Sequence, residues 1–214
     1  SACLVGSEMC IRDSAGTFTS VTGPDAKGVT PSVTQLLGVN NEGTAVGFDI
    51  GADGITRGFT YNVATNTSAT LIEPAGAVNL TATGINNENQ ISGFFSTTGG
   101  VEDGFVETSP GTFTVLTGPK MGDTNIMALG LNDEGQAVGS FVGTDGNTHG
   151  FVFNIASQTY TTIDQGNNTA TVVNGINDLG QVVGFDQNAS APGTDGSHTD
   201  GFLASIPGTV ATIN

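Results

Sequence analysis

The chain has 214 residues, of which 36% are hydrophobic, only 11% are charged and 33 are glycine. Four Lys and Arg stand against twenty Asp and Glu, for a formal charge of −16. That balance excludes a phosphate-backbone binder, because there is too little cationic surface to displace counterions from nucleic acid. It also disfavours docking on an anionic membrane, and no apolar run approaches a spanning helix, so membrane insertion is not expected.

The opening stretch, residues 1–14, reads SACLVGSEMCIRDS and resembles nothing that follows. Leu4–Asp13 can be encoded by CTC GTG GGC TCG GAG ATG TGT ATA AGA GAC, a string resembling a transposase-based sequencing-library adapter. The expectation is a non-native segment fused to a gene from an environmental (metagenomic) read, and such segments are set aside in fold reasoning. Both cysteines, Cys3 and Cys10, fall inside it. The remaining residues offer no thiolate nucleophile and no cysteine metal ligand.

Next in chain order is a short strand, FTSVTGP at Phe18–Pro24, within an orphan segment spanning 17–24. Repetition then dominates. GVNNEGTAVGF starts at Gly38, GINNENQISGF at Gly84, GLNDEGQAVGS at Gly130 and GINDLGQVVGF at Gly175, spaced by 46, 46 and 45 residues. A second motif follows each: RGFTY from Arg57, DGFVE from Asp103, HGFVF from His149 and DGFLA from Asp200. A third closes each repeat: SATLIEP, FTVLTGP, YTTIDQG and TVATIN. The repeats cover approximately 33–74, 79–119, 125–165 and 171–214, and FTSVTGP is an unaccompanied copy of the third motif.

Each repeat predicts four short strands. The Asn-Asn or Asn-Asp turns tolerate positive φ, and the apolar residues of GFVFNI alternate with period two. No window carries helical periodicity. The glycine inside strand two (Gly47, Gly93, Gly139, Gly184) predicts either a close sheet-on-sheet approach or a bulge. The expected architecture is all-β, a β-propeller-like array of four-stranded antiparallel blades stacked face to face. The phenylalanines expected to stay dry between blades are Phe48, Phe94 and Phe185 on strand two, with Phe59, Phe105, Phe151 and Phe202 on strand three. The strand at 17–24 is expected to be debris of a truncated blade, or else a strap closing a ring, or a link to another subunit.

The pattern GIN-[ND]-x-G-Q-x-V-G-x followed by [HDR]-G-F resembles the HAF-repeat extracellular proteins of bacteria. Glycine replaces the middle alanine of the His-Ala-Phe segment in all four copies, and only His149 keeps the histidine. The resemblance implies a secreted or cell-surface, propeller-like protein, and it implies no catalytic residues.

Connectivity places the two–three loops (49–56, 96–102, 142–148, 186–199) at one end of the array. Variable loops on a rigid scaffold are the usual seat of recognition. Asp49, Asp53, Glu102, Asp103, Asp145, Asp186, Asp195 and Asp200 gather there. Candidate ligand-binding residues are His149, Asp145, Asp195, His198 and Asp200. Ca²⁺ is the candidate metal at Asp53, Asp145 and Asp195, since it takes several hard oxygens. The Asp-Gly pairs at these three positions are equally good tight-turn formers. No G-x-S-x-G, H-E-x-x-H or EF-hand run occurs. The expected function is a non-catalytic extracellular binding or structural module, with a glycan or protein ligand and self-association through Phe18–Pro24. The alternative is a secreted hydrolase or lyase acting on polysaccharide through the loop-end acids.

Overall fold

The computed structural model describes residues 9–12, 18–24, 30–164, 170–188 and 198–206; at 9–12, 188 and 198 it describes the backbone alone. Every regular element among them is a strand. The first repeat folds as β3 (Val33–Val39), β4 (Thr44–Ile50), β5 (Thr56–Asn62) and β6 (Thr67–Thr70), and the second as β7 (Ala77–Ile85), β8 (Ile91–Thr97), β9 (Glu102–Ser109) and β10 (Thr112–Leu116). The third is β11 (Thr124–Leu131), β12 (Gln136–Val142), β13 (Thr148–Asn154) and β14 (Thr159–Ile163). The fourth contributes β15 (Ala170–Ile176), β16 (Gln181–Asn188) and β17 (His198–Ser205). The strand expected over TVATIN lies outside the described residues. Within each repeat the strands pair antiparallel in chain order. One parallel bridge, Thr148 to Ala170, joins the third and fourth sheets.

The turn between strands one and two explains this regularity. Its fourth residue has positive φ in every repeat: 79° at Gly43, 59° at Asn89, 69° at Gly135 and 70° at Gly180. Glycine and asparagine reach that region at low steric cost. The turn's first asparagine adds a side-chain brace. The Oδ1 atoms of Asn40, Asn86, Asn132 and Asn177 each accept a 2.9 Å bond from the backbone N–H four residues on.

Strand one carries an irregularity at the same place in every sheet, between Leu36 and Gly38, Ala82 and Gly84, Ala128 and Gly130, and Val173 and Gly175. The strand-two glycine pairs there. A Cβ on Gly139 would stand 1.8 Å from the Met127 carbonyl oxygen, and one on Gly47 1.9 Å from that of Gln35. Of the two expectations for this glycine the bulge holds, and the close approach is to the partner strand of the same sheet.

Successive sheets pack face to face, strand one of each lying on strands of the sheet before. Val46 of the first sheet packs with Leu80, Ala82, Phe95 and Phe105 of the second. Val106 of the second packs with Ile126, Ala128, Phe141 and Phe151 of the third. Val138 and Val152 of the third pack with Val173 and Val182 of the fourth. Phe59, Phe105 and Phe151 are fully buried, each contributing about 1.5–3 kcal/mol by leaving water.

The strand-two phenylalanines correct the sequence reading. Phe48, Phe94 and Phe185 are half-exposed. The next residue along points to the interior instead, namely Asp49, Phe95, Phe141 and Asp186, all buried. Strand parity is the reason: side chains alternate faces, so one step exchanges inside for outside. The same fact removes Asp49 and Asp186 from the solvated loop end, since both lie within strands.

An unforeseen polar spine links the sheets at the turns. The Nδ2 of Asn40 donates to the carbonyl of Asn86, that of Asn86 to Asn132, and that of Asn132 to Asn177, each at 3.1 Å. Alongside, the backbone N–H of Asn41 donates to Asn87 Oδ1 at 2.8 Å, that of Asn87 to Asp133 Oδ1 at 2.7 Å, and that of Asp133 to Asp178 Oδ1 at 2.9 Å. Every step of this ladder spans one repeat.

The strand at Phe18–Val21 (β2) is not solitary. It pairs antiparallel with β1 (Met9–Arg12), inside the stretch set aside from the sequence. Val21 is buried with Leu36, Ala45, Phe59 and Tyr61 of the first sheet, and the Gly23 N–H donates to Thr34 Oγ1 at 3.0 Å. Val21 thus stands ahead of the first sheet as Leu116 stands ahead of Ile126. Among the described residues no strand pairing joins the fourth sheet to the first, and the two do not pack face to face.

Candidate binding site at the loop end

The loop joining β12 to β13 is a compact turn. Gly143 donates its N–H to the Asn147 carbonyl, and Gly146 donates to the Gly143 carbonyl, each at 2.9 Å. Asp145 braces this turn, its Oδ1 accepting from the Asn147 N–H at 3.0 Å. The turn delivers Asp145 to His149, the first side chain of the HGF motif. The Nε2 of His149 lies 3.0 Å from Asp145 Oδ1, and its Nδ1 lies 3.0 Å from Asp164 Oδ1, just beyond β14. The ring stacks on Phe141, its register partner on β12, with centroids 5.2 Å apart and planes 28° apart.

Both ring nitrogens therefore face carboxylates, and the imidazolium is the form that satisfies them. Burial opposes that charge, but the hydrogen bonds His149 donates to Asp145 and Asp164, with the charges of those carboxylates, outweigh it and the His149 pKa is raised. The Asp145 carboxyl is lowered to about 2, chiefly by the hydrogen bond from His149 and then by the Asn147 N–H. This is the expected response of an ion pair sharing a proton donor.

The chain linking β10 to β11 supplies the opposite wall. Together with Lys120, Asp123 and Thr162, these groups line a cavity of about 140 Å³. Asp123 is buried. One of its oxygens accepts from the Lys120 backbone N–H at 2.8 Å, while the other, Oδ1, has no hydrogen-bond partner. A buried acceptor left unmatched is costly unless a donor arrives.

The structure unites His149 and Asp145 from the sequence-predicted set and adds Asp164, Lys120 and Asp123, which sequence reasoning missed. Asp53 lies in the first sheet's loop, pairing with Arg57 at 2.6 Å with the same four-residue spacing as Asp145 and His149. Asp200 lies on β17 of the fourth sheet, opposite Asp186 in register. The backbone of His198 pairs opposite Asn188, and Asp195 lies outside the described residues. Among the described residues no three His, Cys, Asp or Glu side chains gather as a metal site. Asp53 meets the Arg57 side chain and Asp145 meets that of His149.

Asp164 had a readable signal. The β13–β14 hairpin pairs Gly150 with Ile163, so the next pair outward sets position 149 beside 164. Nothing local in the sequence marks Lys120 or Asp123, which reach the cavity from the link between β10 and β11. Compared with known proteins, the chain matches no family model and no curated protein.

Proposed function

We propose that the chain is a non-catalytic extracellular or cell-surface binding module of β-propeller-like architecture, taking a hydroxyl-rich ligand of the glycan type at the His149 cavity. The observation that carries this reading is the double clamp on His149. With a carboxylate at each nitrogen, the protonated ring has no lone pair for proton abstraction or for a metal. It acts as a fixed charge that orients Asp145 and Asp164. What the cavity offers a ligand is the carboxylates of three aspartates and the His149 ring backed by Phe141, with Lys120 in its lining. Hydroxyl groups match those acceptors without requiring a charge on the ligand.

Four repeats of near-constant length, with strand one of each beside strand one of the next, support the propeller-like reading. The likeness of the motifs to HAF-repeat proteins supports an extracellular location. A polysaccharide hydrolase or lyase needs two carboxyl groups available to the substrate, and the engagement of Asp145 and Asp164 by His149 weighs against it.

The test is a glycan array followed by calorimetric titration of the wild type, His149→Ala and Asp123→Asn. Retention of a glycan with at least tenfold weaker binding in both variants is the expected result. Binding indifferent to both substitutions would remove the cavity from the function. Turnover of a polysaccharide that depends on Asp145 would install the enzyme reading instead.

A further inference from the structure

The interface between the first and second sheets holds a cavity of about 310 Å³, within the range of about 300–1,000 Å³ usual for small-molecule pockets. Its rim is exposed and carries Ala69, Thr70, Ile72, Asn89 and Pro110. Its floor is buried: Ile85, Ile91 and Glu107 are 8%, 5% and 3% exposed. It shares no residue with the His149 cavity.

The space has a cause in the sequence. In the next interface Phe153 packs in one cluster with Val106 and Ala137, and its ring meets Tyr160 with centroids 4.8 Å apart. One repeat earlier the counterparts of Phe153, Val106 and Ala137 are Glu107, Thr60 and Ile91. All three line the cavity. A carboxyl stands where the third repeat has an aromatic ring, and it fills less of the gap between sheets.

That carboxyl is only half satisfied. Its Oε1 accepts from the Gly111 N–H at 2.6 Å, while Oε2 is buried with no hydrogen-bond partner. Among the described residues no cationic side chain pairs with it. A buried acceptor left unmatched is costly, and more so when it carries charge. Burial accordingly raises the Glu107 pKa. A donor entering the cavity relieves both penalties at once if it is a cation.

We propose that this cavity binds a small ammonium amphiphile, a primary amine on a short hydrocarbon body. The ammonium donates to Glu107 Oε2, and the body lies against Leu71, Ile72, Ile85 and Ile91. A neutral alcohol supplies a donor but leaves the carboxylate charge uncompensated in apolar surroundings. An anionic amphiphile sets like charges together. The formal charge of −16 adds to the preference by concentrating cations around the chain.

Calorimetric titration of the full chain with hexylamine, 1-hexanol and hexanoate tests this, with NMR of the isoleucine methyl groups to place the ligand. The wild type binds hexylamine at least about tenfold tighter than 1-hexanol, as a charge-assisted bond requires, and does not bind hexanoate. The methyl signals of Ile72, Ile85 and Ile91 shift on binding. Glu107→Gln, which removes a single charge, loses hexylamine affinity by at least about tenfold and keeps 1-hexanol. Glu107→Phe, with the side chain of the third repeat, fills the space and binds neither. Equal affinity of the wild type for amine and alcohol overturns the ammonium assignment. Hexylamine binding untouched by Glu107→Gln, or shifts confined to other methyl groups, puts the amine on the acidic surface and overturns the site. So does a wild type that binds none of the probes. Circular dichroism confirms that each variant keeps its strands.

Discussion

At the residue scale, three ionisable groups are tied to stability, Glu107 and His149 in one direction of pH and Asp145 in the other. Glu107 sits where the other repeats carry Tyr61, Phe153 and Ala204. It is buried, with one oxygen accepting from the Gly111 N–H at 2.6 Å and the other without a partner. Burial raises its pKa above the usual carboxylate value. A raised carboxyl favours the protonated fold, so its contribution is complete below the ordinary value of 4.5 and is lost as pH rises through the folded value. Glu107→Gln keeps the acceptor and removes the charge. It should melt several degrees above wild type at pH 7, with the gap closing under acid conditions, as read by calorimetry across pH.

The His149 clamp combines a raised group with a lowered one. His149, raised above 6.5, contributes below that value and loses its contribution as pH rises through its folded pKa. Asp145, lowered from 3.8 to about 2, contributes above 3.8 and loses it as pH falls through about 2. The clamp is therefore complete between about 4 and 6.5. NMR titration should show the His149 ring titrating above the free imidazole value, and Asp145→Asn and Asp164→Asn should each bring it down.

At the element scale, the turn asparagine does two jobs that the sequence displays as one. Its Oδ1 braces the local turn, and its Nδ2 reaches the next repeat. Asn86→Asp keeps the brace and sets a carboxylate oxygen against the Asn132 carbonyl. The expected loss is about 1–3 kcal/mol, the usual range for breaking a buried hydrogen bond and stranding its partner. Asn177→Asp, in the fourth repeat, should cost about 1 kcal/mol or less, since among the described residues Nδ2 there meets Gln181 alone. Chemical denaturation of the two variants checks the contrast.

Strand positions were readable because their determinants are local. Asn-x-x-Gly or Asn-x-x-Asn turns recur at fixed intervals, and apolar residues alternate between them. Which face each strand buries was harder to read. Near the end of strand two the expected interior residue is followed by the one that is buried, Phe48 by Asp49 and Phe94 by Phe95. Polarity favours Phe48 inside, but the turn register puts Asp49 there and leaves Phe48 half-exposed. The candidate site was legible to the same degree. His149 and Asp145 are four residues apart and joined by one turn, whereas Lys120 and Asp123 come from the link between the second and third repeats, more than twenty residues away in the chain.

At the scale of the whole molecule, charge and repetition set the behaviour. A formal charge of −16 with four Lys and Arg leaves most carboxylates without a cationic neighbour, and their repulsion falls as salt shortens its range. The melting temperature should therefore rise when NaCl is added at neutral pH and level off once screening is complete, as a thermal scan across ionic strength would record.

The sequence by itself determined an all-β chain of repeated antiparallel strands, their turns and the approximate loop end at which His149 and Asp145 meet. These follow from backbone preferences and alternation within a few residues. The tertiary structure alone decided which phenylalanines are dry, that turn asparagines link repeats 45–46 residues apart, and that β2 pairs with β1. Those outcomes depend on strand parity and on contacts between repeats, where a one-residue step reverses inside and outside.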